Sequence, residues 1–357
     1  MNNYECSREH QAKADPMSVT LTNIATELGI SHMTVSRALK GDPAVADKTR
    51  KRVLSAAMKM GYRPNASARS MRSGRFGTLG LLAGTVNSYL PGTLIRGVRD
   101  GCESLDLHLQ VDSISDTQAT DPSYLPRFLQ YACVDALMIS HTGSHDLLTQ
   151  LIDQQRLPAV WINEDQPTNA VYPDEHAGGR IAAQHLINLG HRNIGYSAVH
   201  LVDHFSTKAR LDGMNAALSE AGLPAAKMFA LPDAVGSEIN QSALPTMVEA
   251  LKTSDRPTAI ICRGQADAMC TFAAAMQLGL RVPQDLSIVA FNDKPILSVC
   301  ALPIDTLIIP FLELGVEVAK LTNHLAMNPD EQVASKVIAY DAVQQAGSSH
   351  RVASREI

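Results

Sequence analysis

Aromatic residues are scarce in this chain, 4% of the total with a single tryptophan. That scarcity argues against a molecule built mainly of β-sandwiches. No apolar run approaches the roughly 20 residues that a membrane-spanning helix needs, so no membrane partner is expected. The opening stretch, "MNNYECSREHQAKADPMS", is polar and lacks the apolar centre of a secretory signal. It reads as a disordered leader over residues 1–17, with Met17 as an alternative start. The six cysteines, at 6, 102, 133, 262, 270 and 300, form no C-x-x-C pair, and none stands beside a histidine at metal spacing. They read as reduced thiols filling the core of a cytoplasmic protein.

Catalytic signatures are also missing. The chain has no G-x-x-x-x-G-K-[ST], no G-x-S-x-G and no H-E-x-x-H. The apolar "GLLAGTVNS" lacks the glycine spacing of a dinucleotide fingerprint. His185 and His191 flank a helix end, six residues apart, and so do not share one helix face; core or capping roles suit them better than metal ligation. No catalytic residue, metal or cofactor is expected. The body reads as a receptor rather than an enzyme.

What is present is an uneven charge. From Met17 to Phe76 there are eleven Lys or Arg against Glu27, Asp42 and Asp47, a balance of +8. The whole chain carries −5, so the remainder carries −13. A basic head on an acidic body suggests a polyanion-binding module on a soluble carrier. With 357 residues, two or three folding units are expected.

The head parses into three helices. "TLTNIATELG" opens on Thr20, a good N-cap, and spaces Leu21, Ile24, Ala25 and Leu28 along one face until Gly29 turns the chain. Ser31 then caps a second helix reaching about Leu39, which "KGDP" breaks. In "ISHMTVSRALKG" this helix turns Val35, Ala38 and Leu39 to one side, and His32, Met33, Ser36 and Arg37 to the other. Docking on its own domain needs only the first of these faces. A third helix is expected from about Asp47 to Met60, with Thr49, Val53, Ala56, Ala57 and Met60 inward. Two short helices joined by a glycine turn, completed by a third, make a helix-turn-helix unit. "ASARSMRSGRFG" follows, basic and serine-rich, too short to hold a helix unaided.

From Thr78 the texture changes. "TLGLLAG", "LHLQVDSI", "VDALMIS", "PAVWIN", "NIGYSAV", "TAIICRG" and "LSIVAFND" read as short buried strands. Helical stretches such as "HAGGRIAAQHLINLG", "TKARLDGMNAALSEAG" and "DAMCTFAAAMQLG" lie between most of them. Such alternation predicts doubly wound α/β units with parallel sheets, here two lobes, and a ligand cleft between them.

"VTLTNIATELGISHMTVSRALKG" followed by "VADKTRKRVLSAAMKMGYRPNASARSM" resembles the DNA-binding head and hinge of the LacI-type family of lactose, galactose and purine repressors. The resemblance continues through "TLGLLAGTVNSYLPGTLIRGVRDGCE", "HLINLGHRNIGY", "RLDGM", "GLRVPQDLSIVAFND" and "ELG" at 313–315. It implies an all-α helix-turn-helix head at 18–63, a hinge helix or linker at 64–76, a two-lobed α/β core like periplasmic binding proteins at 77–345, and a tail at 346–357. It also implies a sequence-specific transcriptional regulator, a repressor, acting as a homodimer or tetramer on a pseudo-palindromic double-stranded operator. A binding protein of the same two-lobed build with no DNA role is the alternative, disfavoured by the basic head.

Carried over position by position, the resemblance sends the second helix into the major groove. His32, Met33 and Arg37 then reach base edges: Met33 suits a thymine methyl, and Arg37 can meet guanine through two donors. The hydroxyls of Thr20, Ser31, Thr34, Ser36 and Thr49 suit phosphate oxygens, though Thr20 and Ser31 also serve as caps. Tyr62 and Asn65, in a Y-x-P-N pattern, fix the chain's exit. Met71 takes the place of the minor-groove leucine wedge, with Arg69 near phosphates. A small-molecule effector, a sugar or related metabolite, is implied between the lobes. Its implied contacts are Tyr89, Asn163, Arg210, Gln265, Asn292 and Phe311. The chain departs from the family at three places: Asn163 and Asn292 stand where aspartates are usual, and "CRGQADA" replaces A-N-D. A different sugar, a nucleoside-like compound, an acidic compound or no ligand at all stay open.

Overall fold

The computed structural model describes residues 19–62, 74–84, 90–115, 118, 121, 130, 133–140, 145–198, 204–230, 243–296 and 304–349. The chain divides into two units, Met1–Gly74 and Arg75–Ile357.

Among the described residues the first unit holds three helices: α1 Leu21–Leu28, α2 His32–Leu39 and α3 Asp47–Lys59. Thr20 caps α1 in a reciprocal box, its hydroxyl accepting from the Asn23 N–H while the Asn23 side chain accepts from the Thr20 N–H. Gly29, at φ +65°, lets the chain leave α1 through a left-handed turn that a side chain would strain. Ile24, Val35, Ala38 and Val53 are almost fully buried and close the small core, each larger apolar side chain contributing roughly 1.5–3 kcal/mol. The face of α2 expected inward is therefore the one that packs.

The second unit contains two parallel sheets. The first lobe begins with β1 Thr78–Gly84, α4 Gly92–Ser104, β2 His108–Ile114, β3 Ala136–Ser140, α5 His145–Gln155, β4 Ala159–Ile162 and β5 Ala170–Pro173. The second lobe follows with α6 Glu175–Asn188, β6 Ile194–Ala198, α7 Phe205–Glu220, β7 Lys227–Ala230, α8 Ala243–Lys252, β8 Ala259–Cys262, α9 Gln265–Gln277, β9 Ser287–Asn292 and β10 Asp305–Ile308. Then α10 Phe311–Met327 and β11 Lys336–Ile338 return to the first. The sheet orders are β11-β5-β4-β3-β1-β2 and β10-β9-β8-β6-β7. The doubly wound, two-lobed architecture expected from the strand–helix alternation is present.

In each sheet the chain starts at an inner strand, lays the next strand on one side, then crosses to the other. The direction reverses between β1 and β3 in one sheet and between β6 and β8 in the other. Ligands in doubly wound folds settle at such reversals, beyond the strands' carboxyl ends. The two carboxyl edges face each other: Thr93 Oγ1, at the start of α4, donates to Asp293 Oδ2 beyond β9 at 3.0 Å. The ring of Tyr172, in β5, meets Phe205, which opens α7, edge-on at 5.8 Å.

Two helix pairs close tightly through glycine. A Cβ on Gly179 of α6 would stand 2.0 Å from the Arg210 carbonyl oxygen, and one on Gly213 of α7 would stand 2.0 Å from that of His176. Gly97 of α4 meets the Leu312 carbonyl in α10 in the same way.

The expected tail boundary moves. Residues 346–349 belong to the second lobe, because the N–H groups of Ala346, Gly347 and Ser348 donate to Asp305 Oδ1 at 2.7, 2.7 and 3.2 Å. The reason is a buried carboxylate, 1% exposed, that these donors satisfy. His185 and His191 spend a ring nitrogen each on Ser349 and Thr258, both at 2.9 Å.

Candidate nucleic-acid interface and ligand cleft

In the head, α2 presents two unlike faces. Val35 and Ala38 are buried, whereas His32, Met33 and Arg37 are exposed, Met33 by 58%. An unbranched apolar side chain at that exposure gains nothing from its own fold. Arg37 pairs with Asp42 at 3.6 Å, but its side chain remains 59% exposed. An exposed pair of this kind is worth about 0–1 kcal/mol.

The hydroxyls divide by use. Ser31 Oγ accepts from the Thr34 N–H at 3.1 Å and lies 2.9 Å from Thr34 Oγ1. Thr20 Oγ1 donates to Asn23 Oδ1 at 2.6 Å. Thr20 and Ser31 cap α1 and α2, and the Thr34 hydroxyl is paired with the second of these caps. Ser36 and Thr49 are half-buried. Tyr62 packs against the head core, and its N–H donates to the Ala57 carbonyl at 2.8 Å, closing α3. Asn65, Arg69 and Met71 lie outside the described residues, as does Tyr89 in the body.

In the body, Arg210 sits on α7 with its side chain 4% exposed. The tight crossing of α6 and α7 brings it to Glu175, the first residue of α6. Arg210 Nε donates to Glu175 Oε2 at 2.6 Å, and Nη2 donates to Oε1 at 2.9 Å. Nη1 donates to the Arg263 carbonyl at 3.0 Å, and Nη2 reaches the Tyr340 hydroxyl at 3.2 Å. Tyr340 in turn donates to Glu175 Oε2 at 2.7 Å. The Phe291 ring lies 4.0 Å beneath the guanidinium. Burial alone would lower the Arg210 pKa, but the Glu175 carboxylate more than offsets it and the value is raised. Burial pushes the Tyr340 hydroxyl well above its ordinary range. Every nitrogen of Arg210 is thus bonded within the protein.

Arg263 is placed differently. It follows β8 at the reversal between β6 and β8, where its N–H donates to the Ser197 carbonyl at 2.8 Å. Its Nε donates to Thr207 Oγ1 at 2.9 Å. It is partly exposed, and among the described residues it has no ion-pair partner and no acceptor for either Nη. Burial, and after it the Arg210 cation, hold its pKa below the ordinary arginine value. Gly264, beside it, is the N-cap of α9 and offers no side-chain cap, and a Cβ there would stand 3.8 Å from Asp267 Oδ2.

The amide positions fall at strand ends. Asn163 follows β4 at φ +58°, and its buried Oδ1 has no hydrogen-bond partner. Asn292 ends β9 and donates from Nδ2 to the Lys294 carbonyl at 2.8 Å. Gln265 is the first residue of α9, half-buried. Phe311 opens α10 and packs on the first lobe's core. Asp293, 8% exposed, keeps Oδ1 without a partner while Thr93 occupies Oδ2.

Sequence reasoning missed Glu175, Arg263 and Tyr340. The only signal for Glu175 was a second acid directly after the α6 cap Asp174. Tyr340 gave none, standing 130 residues from its partner. Arg263 stood in "CRGQADA" as an arginine in an otherwise small and polar run.

Comparison with known proteins agrees with this build. Residues 20–65 match the model of bacterial regulatory proteins of the lacI family, and residues 183–345 match a periplasmic binding protein-like domain. The chain is 30% identical over 304 residues to the HTH-type transcriptional repressor PurR of Aliivibrio salmonicida, covering 83% of this chain and 89% of that one. It is 29% identical over 310 residues to the HTH-type transcriptional regulator DegA of Bacillus subtilis, covering 84% and 89%. The lac repressor dimer bound to operator and the anti-inducer ONPF superposes with a TM-score of 0.71 at 21% identity, covering 93% of this chain and 99% of that one. The helix-turn-helix head and the two-lobed core are accounted for together, and the chain belongs to the lacI family of bacterial regulatory proteins, DNA-binding transcriptional regulators with an effector-binding core.

Proposed function

We propose that this protein represses transcription by gripping a two-fold operator through α2 of each of two copies, and that a small molecule between the carboxyl edges of the two sheets sets the strength of that grip. The observation that carries the reading is the exposed face of α2. His32, Met33 and Arg37 are turned out of a head whose core is already closed by the opposite face.

Magnitudes favour base contact for Arg37. Its ion pair with Asp42 is exposed and worth about 0–1 kcal/mol, whereas a bidentate contact to guanine is worth roughly 1–3 kcal/mol of discrimination. His32 and Met33, at the start of α2, suit the edges that a recognition helix meets first. In the Ser31–Thr34 hydroxyl pair one O–H donates to the other oxygen, which leaves the second O–H free to donate to water or a phosphate oxygen. Asn65, Arg69 and Met71 complete the reading as hinge contacts to the operator.

A random-site selection with the full-length protein tests the proposal. A pseudo-palindromic consensus is expected, and Arg37→Ala should reduce the preference for it over random duplex by about 5- to 150-fold, the equivalent of 1–3 kcal/mol. Enrichment of no sequence, with or without metabolites, refutes it.

A further inference from the structure

The geometry points to an organic anion as the ligand of the cleft, its carboxylate or phosphate held by the two Nη groups of Arg263, which bond to none of the described residues, at the reversal between β6 and β8. This deepens the reading of the cleft as the regulatory site and rests on it.

Three observations converge. The first is that Arg210 is already fully engaged. A bidentate carboxylate, a phenol and a carbonyl satisfy all its nitrogens, and an incoming anion would have to displace Glu175 at 2.6 and 2.9 Å from a sealed pocket. Displacement would leave that carboxylate buried and unpaired, which is costly.

The second is the incomplete satisfaction of Arg263. Its stem is fixed by Thr207 through Nε, while among the described residues the outer edge of the guanidinium donates to no protein group. A guanidinium presents paired donors in a fixed fork that matches a carboxylate or phosphate. Its position is the topological one at which doubly wound folds bind ligands. The start of α9 adds N–H groups alongside, and a Cβ on Gly264 would stand 3.8 Å from Asp267 Oδ2.

The third lies among the other groups at these strand ends. Asp293 Oδ1 and Asn163 Oδ1 are buried acceptors with no donor among the described residues. Buried acceptors of this kind need a hydrogen to bond. Hydroxyl groups on the same ligand supply it. Sugar acids and sugar phosphates combine both requirements, and neutral sugars meet only the second.

The test titrates full-length protein with D-gluconate, D-glucose 6-phosphate, inorganic phosphate and D-glucose at constant ionic strength, following the thermal midpoint. A ligand that binds only the folded state must raise the midpoint in a saturable way. Gluconate or glucose 6-phosphate should do so, and glucose should not. Response to gluconate alone assigns a carboxylate, and response to the two phosphates alone assigns a phosphate. Arg263→Gln should weaken the response at least tenfold. Should that variant fail to fold, Arg263→Lys keeps the charge, loses the fork and should show the same loss. No saturable response to any of the anions, an equal response to glucose, or an undiminished response in a folded Arg263 variant overturns the proposal. Operator binding by the parent protein is measured separately; its absence would refute the reading of the head and leave the anion titration interpretable alone.

Discussion

A guanidinium removed from water must recover, from its neighbours, the hydration it has lost. Arg210 does so with the Glu175 carboxylate, the Tyr340 hydroxyl, one carbonyl and the face of Phe291. The pair gains from being intact and loses heavily from being halved. Arg210→Met should therefore destabilise the body by about 3–5 kcal/mol in a urea titration, because Glu175 is left charged and alone. Combining it with Glu175→Gln should recover most of that loss. An Arg210→Met protein of unchanged stability would show that the two residues do not depend on each other. The resemblance gave Arg210 an effector role, and the pairing was invisible in the sequence because Glu175 lies 35 residues away. Proximity of that kind is created by a helix crossing, not by spacing.

That crossing is an element-scale feature. Gly179 and Gly213 lie on facing helices, each against the other's carbonyl, so α6 and α7 approach as closely as backbones allow. Gly179→Ala would press a methyl into the Arg210 carbonyl and push the helices apart. The expected cost is about 2–3 kcal/mol, as for other overpacked cores, read as a lowered denaturation midpoint. No loss would mean that the crossing is looser than its geometry. The longer elements were legible from the sequence because their patterns are strong: α1, α2 and α3 from apolar spacing and caps, β1 and β9 from continuous apolar runs. Four strands escaped. β5, β7, β10 and β11 have three or four residues each and include a proline or a charged residue, whereas β4 and β8, also of four residues, are continuous apolar runs. Their assignment depends on neighbours that the sequence does not reveal. The candidate site divided likewise. The two faces of α2 follow from one helix turn, whereas the cleft is assembled from residues at many strand ends.

At the scale of the whole body, the carboxyl end of the described chain is held by one buried acid. Asp305 accepts from the N–H groups of Ala346, Gly347 and Ser348 and from Ser349 Oγ, with His185 3.4 Å away. Burial alone would raise its pKa, but these hydrogen bonds, led by those from His185 and Ser349, bring it down to about 2 from an ordinary 3.8. A carboxyl with a lowered folded-state pKa stabilises fully above its unfolded value, and the contribution disappears as pH falls through the folded one. Asp305 should thus supply about 2 kcal/mol above pH 4, lost between about pH 4 and pH 2. Asp305→Asn should flatten the fall in stability across that window. An unchanged acid profile would show that other carboxylates dominate there.

The path of the chain has a consequence for the molecule's divisibility. It leaves the first sheet after β5, returns through α10 to lay down β11 on the far edge, then passes back to pair Gln344 with Thr306 and anchor Ser348 in the second sheet. Each lobe is thus sewn from separated stretches, and no single contiguous fragment consists of one lobe alone. A ribosome cannot complete the first lobe until it has nearly finished the second, and a protease that clips off the final thirty residues takes a thread from both.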